Sequence, residues 1–308
     1  MDPQEYFESQ IPPSNLSEVS ERVDSFVNNH FKKRKIVLVT SGGTTVPLEN
    51  QTVRFLDNFS AGTRGATSAE FFLDAGYAVI FLHRQFSLQP YSRHYSHSKN
   101  CFLDYMKINE KGEVHVEQKW NLNMKEVLVK YQNAKKLGTL IMIDFVTVKD
   151  YLFTLRSVTK ILSKLKKDAM LYLAAAVSDF FVPDKKMVEH KIQSDDGPLD
   201  LRLDKVPKIL SPLVKEWAPN SFVVSFKLET DESILVKKSK KSLKTYGHHI
   251  VIGNILTTRK KQVIFVYPEE DKPILEVTLN EEELKNGTEI ESKIIPKLVE
   301  GHNMFRIE

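Results

Sequence analysis

Six short apolar runs recur along the chain, and most are followed by a stretch with helical spacing. The runs are Ile36–Val39, Tyr77–Leu82, Thr139–Phe145, Ala169–Leu173, Ser221–Phe226 and His249–Gly253. Between them, Ala66–Leu73 (closed by Gly76), Met124–Leu137, Val148–Lys167 and Ser233–Gly247 read as helices. Ahead of the first run, Asn15 or Ser17 caps a helix reaching Lys32, with Val19, Val23, Phe26 and Val27 at helical spacing. After the last run, Gln262–Tyr267 and Pro273–Thr278 predict a hairpin, and Glu281–Leu298 a final helix. Strands alternating with helices predict βαβ units and a mostly parallel sheet covered on both faces, a three-layer α/β fold. No composition break divides the chain, so residues 1–308 read as one α/β domain. Residues 1–14 read as a flexible arm, and residues 83–137, where the rhythm breaks, as an insertion at the sheet edge.

The first strand ends in Thr40-Ser-Gly-Gly-Thr44, and a polar loop leads to Ser60-Ala-Gly-Thr-Arg-Gly65 at the start of the next helix. Such a joint gathers backbone N–H groups without partners. Glycines let a ligand reach the bare backbone, and the helix N-terminus favours anions. Two glycine clusters bracketing one crossover, with Arg54, Asn58, Ser60 and Arg64 between or beside them, point to a phosphate cradle. The competing explanation is that each glycine merely turns the chain. The spacing fits neither G-x-G-x-x-G nor the P-loop.

Composition narrows the classes. A formal net charge of +4 over 308 residues is too slight to argue for nucleic acid. One cysteine, Cys101, rules out an intrachain disulfide and suits a reducing compartment. No apolar stretch approaches the roughly 20 residues that span a membrane. The start of the chain lacks signal-peptide character, so a cytoplasmic protein is expected, with nuclear entry left open. His94 and His97 stand three apart, but no cysteine or carboxylate is spaced to complete a metal site, and they read as exposed loop histidines.

In open α/β sheets the ligand lies outside the carboxyl ends of the strands. The residues there are Ser41, Gly42 and Gly43, then Asn58, Ser60, Gly62 and Gly65; later come Ala175, Ala176 and Asp179, then Phe226 and Lys227, and Asn254. They offer phosphate-binding glycines, a carboxylate able to hold Mg²⁺, amides, an aromatic ring and lysines. A nucleophile elbow, a His/Cys pair and an acidic residue placed for a nicotinamide ribose are all lacking. The residues themselves therefore reach as far as a nucleotide-using transferase or ligase.

Several longer motifs then go further. Thr40-Ser-Gly-Gly-Thr44, Val46-Pro-Leu-Glu49, Arg54-Phe-Leu-Asp-Asn-Phe-Ser60, Arg64-Gly-Ala-Thr-Ser-Ala-Glu70, Tyr172-Leu-Ala-Ala-Ala-Val-Ser-Asp-Phe180, Glu189-His-Lys-Ile-Gln-Ser194, Ser211-Pro-Leu-Val-Lys215 and Ser225-Phe-Lys-Leu-Glu-Thr-Asp231 come in one order over roughly residues 35–300. In these the chain resembles the phosphopantothenoylcysteine synthetases (phosphopantothenate–cysteine ligases) of the eukaryotic stand-alone type. The resemblance implies a Rossmann-like sheet. It also implies an ATP-dependent condensation of 4′-phosphopantothenate with L-cysteine through an acyl-adenylate, releasing pyrophosphate and AMP, in coenzyme A synthesis. Mg²⁺ is implied with the ATP. Bacterial forms are fused to a flavin-dependent decarboxylase, and the chain starts too near its first strand to carry one, so no flavin is expected.

The resemblance also assigns residues. Gly42, Ser60, Gly62, Gly65, Phe226 and Asn254 fall on the nucleotide site. Asn58, Ala175, Ala176 and Asp179 fall on the phosphopantothenate and acyl-intermediate site, and Asp179 is also a possible metal ligand. Asn58 and Lys191 are expected to act on the reacting acyl and phosphate groups. Arg54 is expected to pair with a phosphate or to brace the loop through Asp57. Gln193 and Ser194 replace two lysines of the bacterial motif, so only Lys191 carries over, with Lys205 or Lys208 as candidate substitutes for the others. A homodimer with shared sites is implied, with Ala175–Asp179 supplied by the partner; no nucleic acid or membrane partner is implied. The alternative is a catalytically silent homologue that binds phosphopantothenate-like ligands or a partner protein.

Overall fold

The computed structural model describes residues 1–96, 101–194 and 197–307; His97 lies outside them. Eight strands form one sheet: β1 Ile36–Ser41, β2 Ala78–Arg84, β3 Leu140–Phe145, β4 Ala169–Leu173, β5 Phe222–Glu229, β6 Ile250–Ile255, β7 Gln262–Val266 and β8 Leu275–Thr278. Their order is β8-β7-β6-β5-β4-β1-β2-β3. All neighbours from β3 to β6 are parallel, and the β7–β8 hairpin adds antiparallel at one edge. This is the doubly wound 3-2-1-4-5-6 order, whose ligand crevice opens between β1 and β4, where the order reverses.

Side chains alternate across each strand and build two cores. Ile36 and Leu38 of β1 face a core shared with helices α2 (Leu16–His30) and α5 (Val148–Leu162). Val37 and Val39 face the other, under α3 (Thr63–Asp74) and the C-terminal helix α8 (Glu291–Ile307). The central strands are buried on both faces, which is why they read as unbroken β-branched and aliphatic runs. α5 is anchored by a capping box, Thr147 with Asp150.

Three expectations are corrected. Residues 1–14 are not a loose arm: α1 (Pro3–Ser9) is capped by Asp2 and Glu5, and its Tyr6 and Phe7 are buried against Phe181, Phe153 and Trp217. The aromatic pair supplies the apolar area that holds so short a helix in place. The C-terminal helix is two helices, α7 (Glu281–Lys285) and α8, separated by a turn that contains Gly287 with positive φ. The segment after β2 holds a small ribbon, Met106–Ile108 against Val114–Val116, and α4 (Gln118–Leu137), which starts at Gln118 rather than Met124. α6 (Glu232–Tyr246) ends at Gly247, in the left-handed conformation that favours glycine.

Candidate functional site

The base of the crevice between β1 and β4 is knitted together by backbone and threonine hydrogen bonds beyond the sheet. The Ala176 N–H donates to the Gly42 carbonyl (2.8 Å), and the Thr44 N–H donates to the Ala176 carbonyl (3.0 Å). Thr40 Oγ1 accepts the Ala175 N–H (3.1 Å), and Thr44 Oγ1 accepts the Ser178 N–H (2.9 Å). Ala175 and Ala176 therefore lie against the Gly42–Thr44 turn of their own chain. Parallel pairing of β1 with β4 delivers both ends to one place within one chain, whereas the resemblance has Ala175–Asp179 supplied by a partner subunit.

The loop carrying Asn58 folds back over the same turn. Thr45–Pro47 pairs antiparallel with Phe55–Asp57, and the Asn58 N–H donates to the Thr44 carbonyl at 3.1 Å. Gly43 makes this approach possible, since a Cβ there would stand 1.7 Å from the Asn58 carbonyl oxygen. Asp57 is gripped by both of its oxygens by Arg84 at the end of β2, at 2.6 and 2.8 Å. Arg54 does not pair with Asp57. Its Nη1 donates to Glu49 Oε1 (3.1 Å) and to the Ile192 carbonyl (3.0 Å). Glu49 also accepts the N–H groups of Arg54, Val53 and Ile192, and these bonds, that from Arg54 foremost, hold its carboxyl below the usual carboxylate range. Glu49 thereby pins the segment that bears Lys191, whose own side chain is exposed. The Asn50 N–H and the Gln51 N–H bind the Val188 and Glu189 carbonyls and continue that join.

The nucleotide candidates fall on the α3 face. Gly62, the residue before α3, and Gly42 both adopt positive φ. Gly65 lets α3 settle on β1, where a Cβ would lie 2.4 Å from both Ser41 Cβ and Oγ. Ser60 Oγ accepts the Gly62 N–H at 3.4 Å. Phe226 lies within β5 rather than past its end, edge-on to Tyr172 at 5.0 Å, with the Arg64 guanidinium 5.9 Å from its ring centre. Asn254 follows Ile250 and Ile252 on the same face, is buried, and its Oδ1 has no hydrogen-bond partner among the described residues. A buried acceptor left open at a ligand crevice suits a donor on a bound base.

Of the substrate candidates, Ala175 and Asp179 line a cavity on the α5 face, while Asn58 and Ala176 sit on the Gly42–Thr44 turn. The cavity, of about 330 Å³, is walled by Ala175, Asp179, Lys208, Ser225 and Phe226, with aliphatic side chains such as Leu173 beneath. Asp179 is largely exposed, and Lys208 Nζ lies 3.3 Å from its Oδ1. Among the described residues no group of three His, Cys, Asp or Glu side chains is placed to hold a metal. His94 instead lies 3.2 Å from Glu70. Sequence reading missed the ion network there: Arg93, nearly buried, joins Glu70 (2.8 Å) to Glu289 (2.5 Å). Burial pushes Glu70 up, but hydrogen bonds from His94 and Arg93 outweigh it and bring the carboxyl down to about 2. No local pattern marks this network, because Glu289 is distant in sequence.

Comparison with known proteins adds independent findings. The family description "DNA/pantothenate metabolism flavoprotein C-terminal domain" matches residues 32–99 and 135–298. The phosphopantothenate–cysteine ligase CAB2 of Saccharomyces cerevisiae is 46% identical over 325 residues, covering 98% of this chain and 86% of that protein. The human phosphopantothenate–cysteine ligase is 47% identical over 277 residues, covering 88% of each. A solved structure, a Cab2 H337A mutant in complex with phosphopantothenate-cysteine, superposes with a TM-score of 0.91 at 46% identity, covering 99% of this chain and 98% of that one.

Proposed function

The chain belongs to the phosphopantothenate–cysteine ligase family, and from that premise we propose that it joins 4′-phosphopantothenate to L-cysteine at the β1/β4 crevice, using ATP. The observation that carries this reading is the meeting, in one chain, of the Gly42–Thr44 turn, the Asn58 loop and Ala175–Ala176 at the reversal point of the sheet. The silent-homologue alternative is not favoured by relatives of 46–47% identity that carry the ligase name.

In the proposed reaction a carboxylate oxygen of phosphopantothenate attacks the α-phosphorus of ATP, and pyrophosphate leaves. The cysteine amine then attacks the acyl carbon and AMP leaves, taking the bridging oxygen. Gly42, Ser60, Gly62 and Gly65 shape the turn and α3 N-terminus that receive phosphate charge. Phe226 and Asn254 face the base. The Asn58 side chain supplies an amide N–H to the oxyanion that develops on the acyl carbon, beside Ala175 and Ala176. Lys191, exposed on its pinned segment, supplies positive charge to the phosphates. Arg54, held by Glu49, acts by positioning that segment.

Mg²⁺ is proposed to enter as the counter-ion of ATP. Asp179 is a lone exposed carboxylate with a lysine beside it, which fits a cation held chiefly by phosphates and water rather than a resident site. A homodimer is proposed from the exposed Phe55 and Phe59 flanking Asn58. The single Cys101, exposed and free, supports a reducing compartment such as the cytoplasm. The test is turnover with phosphopantothenate, cysteine and Mg²⁺, comparing ATP with CTP. Pyrophosphate and nucleoside monophosphate should form in equal amounts, faster with ATP. No pyrophosphate above a blank lacking phosphopantothenate would overturn the reading.

A further inference from the structure

Ser225 is a hydroxyl on an otherwise apolar strip. Its neighbour in register is Leu173 of β4, and Val223, two residues before it, packs in the same core. It stands in the wall of the 330 Å³ cavity that Ala175, Asp179 and Lys208 also line. Its Oγ lies 2.7 Å from His248 Nε2. His248 is 1% exposed, and its Nδ1 has no partner among the described residues.

That missing partner decides how the pair is protonated. A buried N–H without an acceptor is rarer and costlier than a buried acceptor without a donor. The proton therefore belongs on Nε2, which donates to Ser225 Oγ, and Nδ1 is the idle acceptor. Burial keeps the ring neutral, drawing its pKa down to about 4. The Ser225 hydroxyl has then received its hydrogen bond and keeps its own proton to give. The pair is not a nucleophile and base: Nδ1 lacks the carboxylate that orients and stabilises a catalytic imidazolium.

We propose that Ser225, oriented by His248, donates a hydrogen bond to an oxygen of the pantothenate arm in this cavity and so helps select phosphopantothenate. The aliphatic walls suit the branched carbon skeleton of that arm, and Lys208 at the rim suits an anionic end. Serine is small enough to leave the cavity open, and its donor direction is fixed by a residue that never touches the ligand. The inference rests on the ligase reading, and it adds a positioning residue, His248, and a specificity residue, Ser225.

The experiment is steady-state pyrophosphate release with each substrate varied in turn, on wild type, Ser225→Ala, Ser225→Thr, His248→Leu and His248→Gln, with melting temperatures measured in parallel. Wild-type turnover tests the ligase reading; the ratios between variants test this one. Ser225→Ala is expected to raise KM for phosphopantothenate about 10-fold, with KM for ATP and cysteine at parental values. His248→Leu should do the same, and His248→Gln, which keeps an amide donor, should recover most of the loss, as should Ser225→Thr. A phosphopantothenate KM unchanged in Ser225→Ala, or a rise confined to ATP or cysteine, overturns the proposal. So does an equal rise in all three that follows the melting temperature, since packing alone would give that.

Discussion

Substituting Gly43 by alanine should damage catalysis far more than folding. The added Cβ would stand 1.7 Å from the Asn58 carbonyl oxygen, 2.8 Å from its carbon and 3.1 Å from the Ser60 nitrogen. Carbon contacts settle near 3.5 Å, so something must retreat by roughly 1.8 Å. All three neighbours are backbone atoms, so no side chain can swing aside. β1 is held by ladders to β2 and β4 on both flanks, which leaves the Asn58 loop as the part that moves. Its retreat breaks the Asn58 N–H bond to the Thr44 carbonyl, worth about 1 kcal/mol. A displacement near 1 Å at reacting groups costs on the order of 100-fold in rate. Gly65→Ala is the control, because its Cβ would press on Ser41 of β1 and push the whole of α3 away; overpacking of that kind costs about 1–3 kcal/mol. Pyrophosphate release and thermal melting, run on both variants, should show Gly43→Ala with the larger loss of kcat and Gly65→Ala with the larger loss of Tm. Parental kcat in Gly43→Ala would mean that the Gly43 contact does not hold Asn58 in its working position.

Other outcomes follow from the same geometry. His248 and His302 are buried and His249 is half-buried, and loss of hydration draws each down to about 4 from 6.5. The unfolded chain therefore binds more protons between these values, so stability is full above about pH 6.5 and falls as pH drops toward 4. Melting temperature across that window should decline, and a flat profile would contradict the buried neutral rings. Asn254→Ala should raise KM for ATP about 10-fold, the equivalent of roughly 1.4 kcal/mol, because Oδ1 is the open acceptor proposed for the base. An ATP KM within twofold of the parent would remove Asn254 from the nucleotide site.

Much of the scaffold was legible because its signals are local. The doubly buried strands announce themselves as short apolar runs, and α3 and α5 as helical patterns that start after a glycine turn and a capping threonine. α1 escaped notice because seven residues carry little periodicity. Its Asp2 and Glu5 were a readable capping box, but the docking of Tyr6 and Phe7 was not readable. The candidate site divides the same way. Glycines at a strand–helix joint can be seen in sequence, whereas the contact of Gly43 with Asn58 depends on how the loop folds back. Arg54 shows the limit most plainly. Asp57 is its near neighbour in sequence, yet Arg84 takes that carboxylate, and Arg54 turns to the buried Glu49. Arg93 likewise finds Glu289 across 196 positions, a partner that no spacing rule identifies.

In the proposed reaction the chain activates a carboxylate as an acyl-adenylate before cysteine attacks. Phosphopantothenate carrying ¹⁸O in both carboxylate oxygens, turned over with ATP and cysteine, tests it directly. One ¹⁸O is expected in the AMP, one in the amide product and none in pyrophosphate. AMP free of label, or label in pyrophosphate or inorganic phosphate, would contradict it.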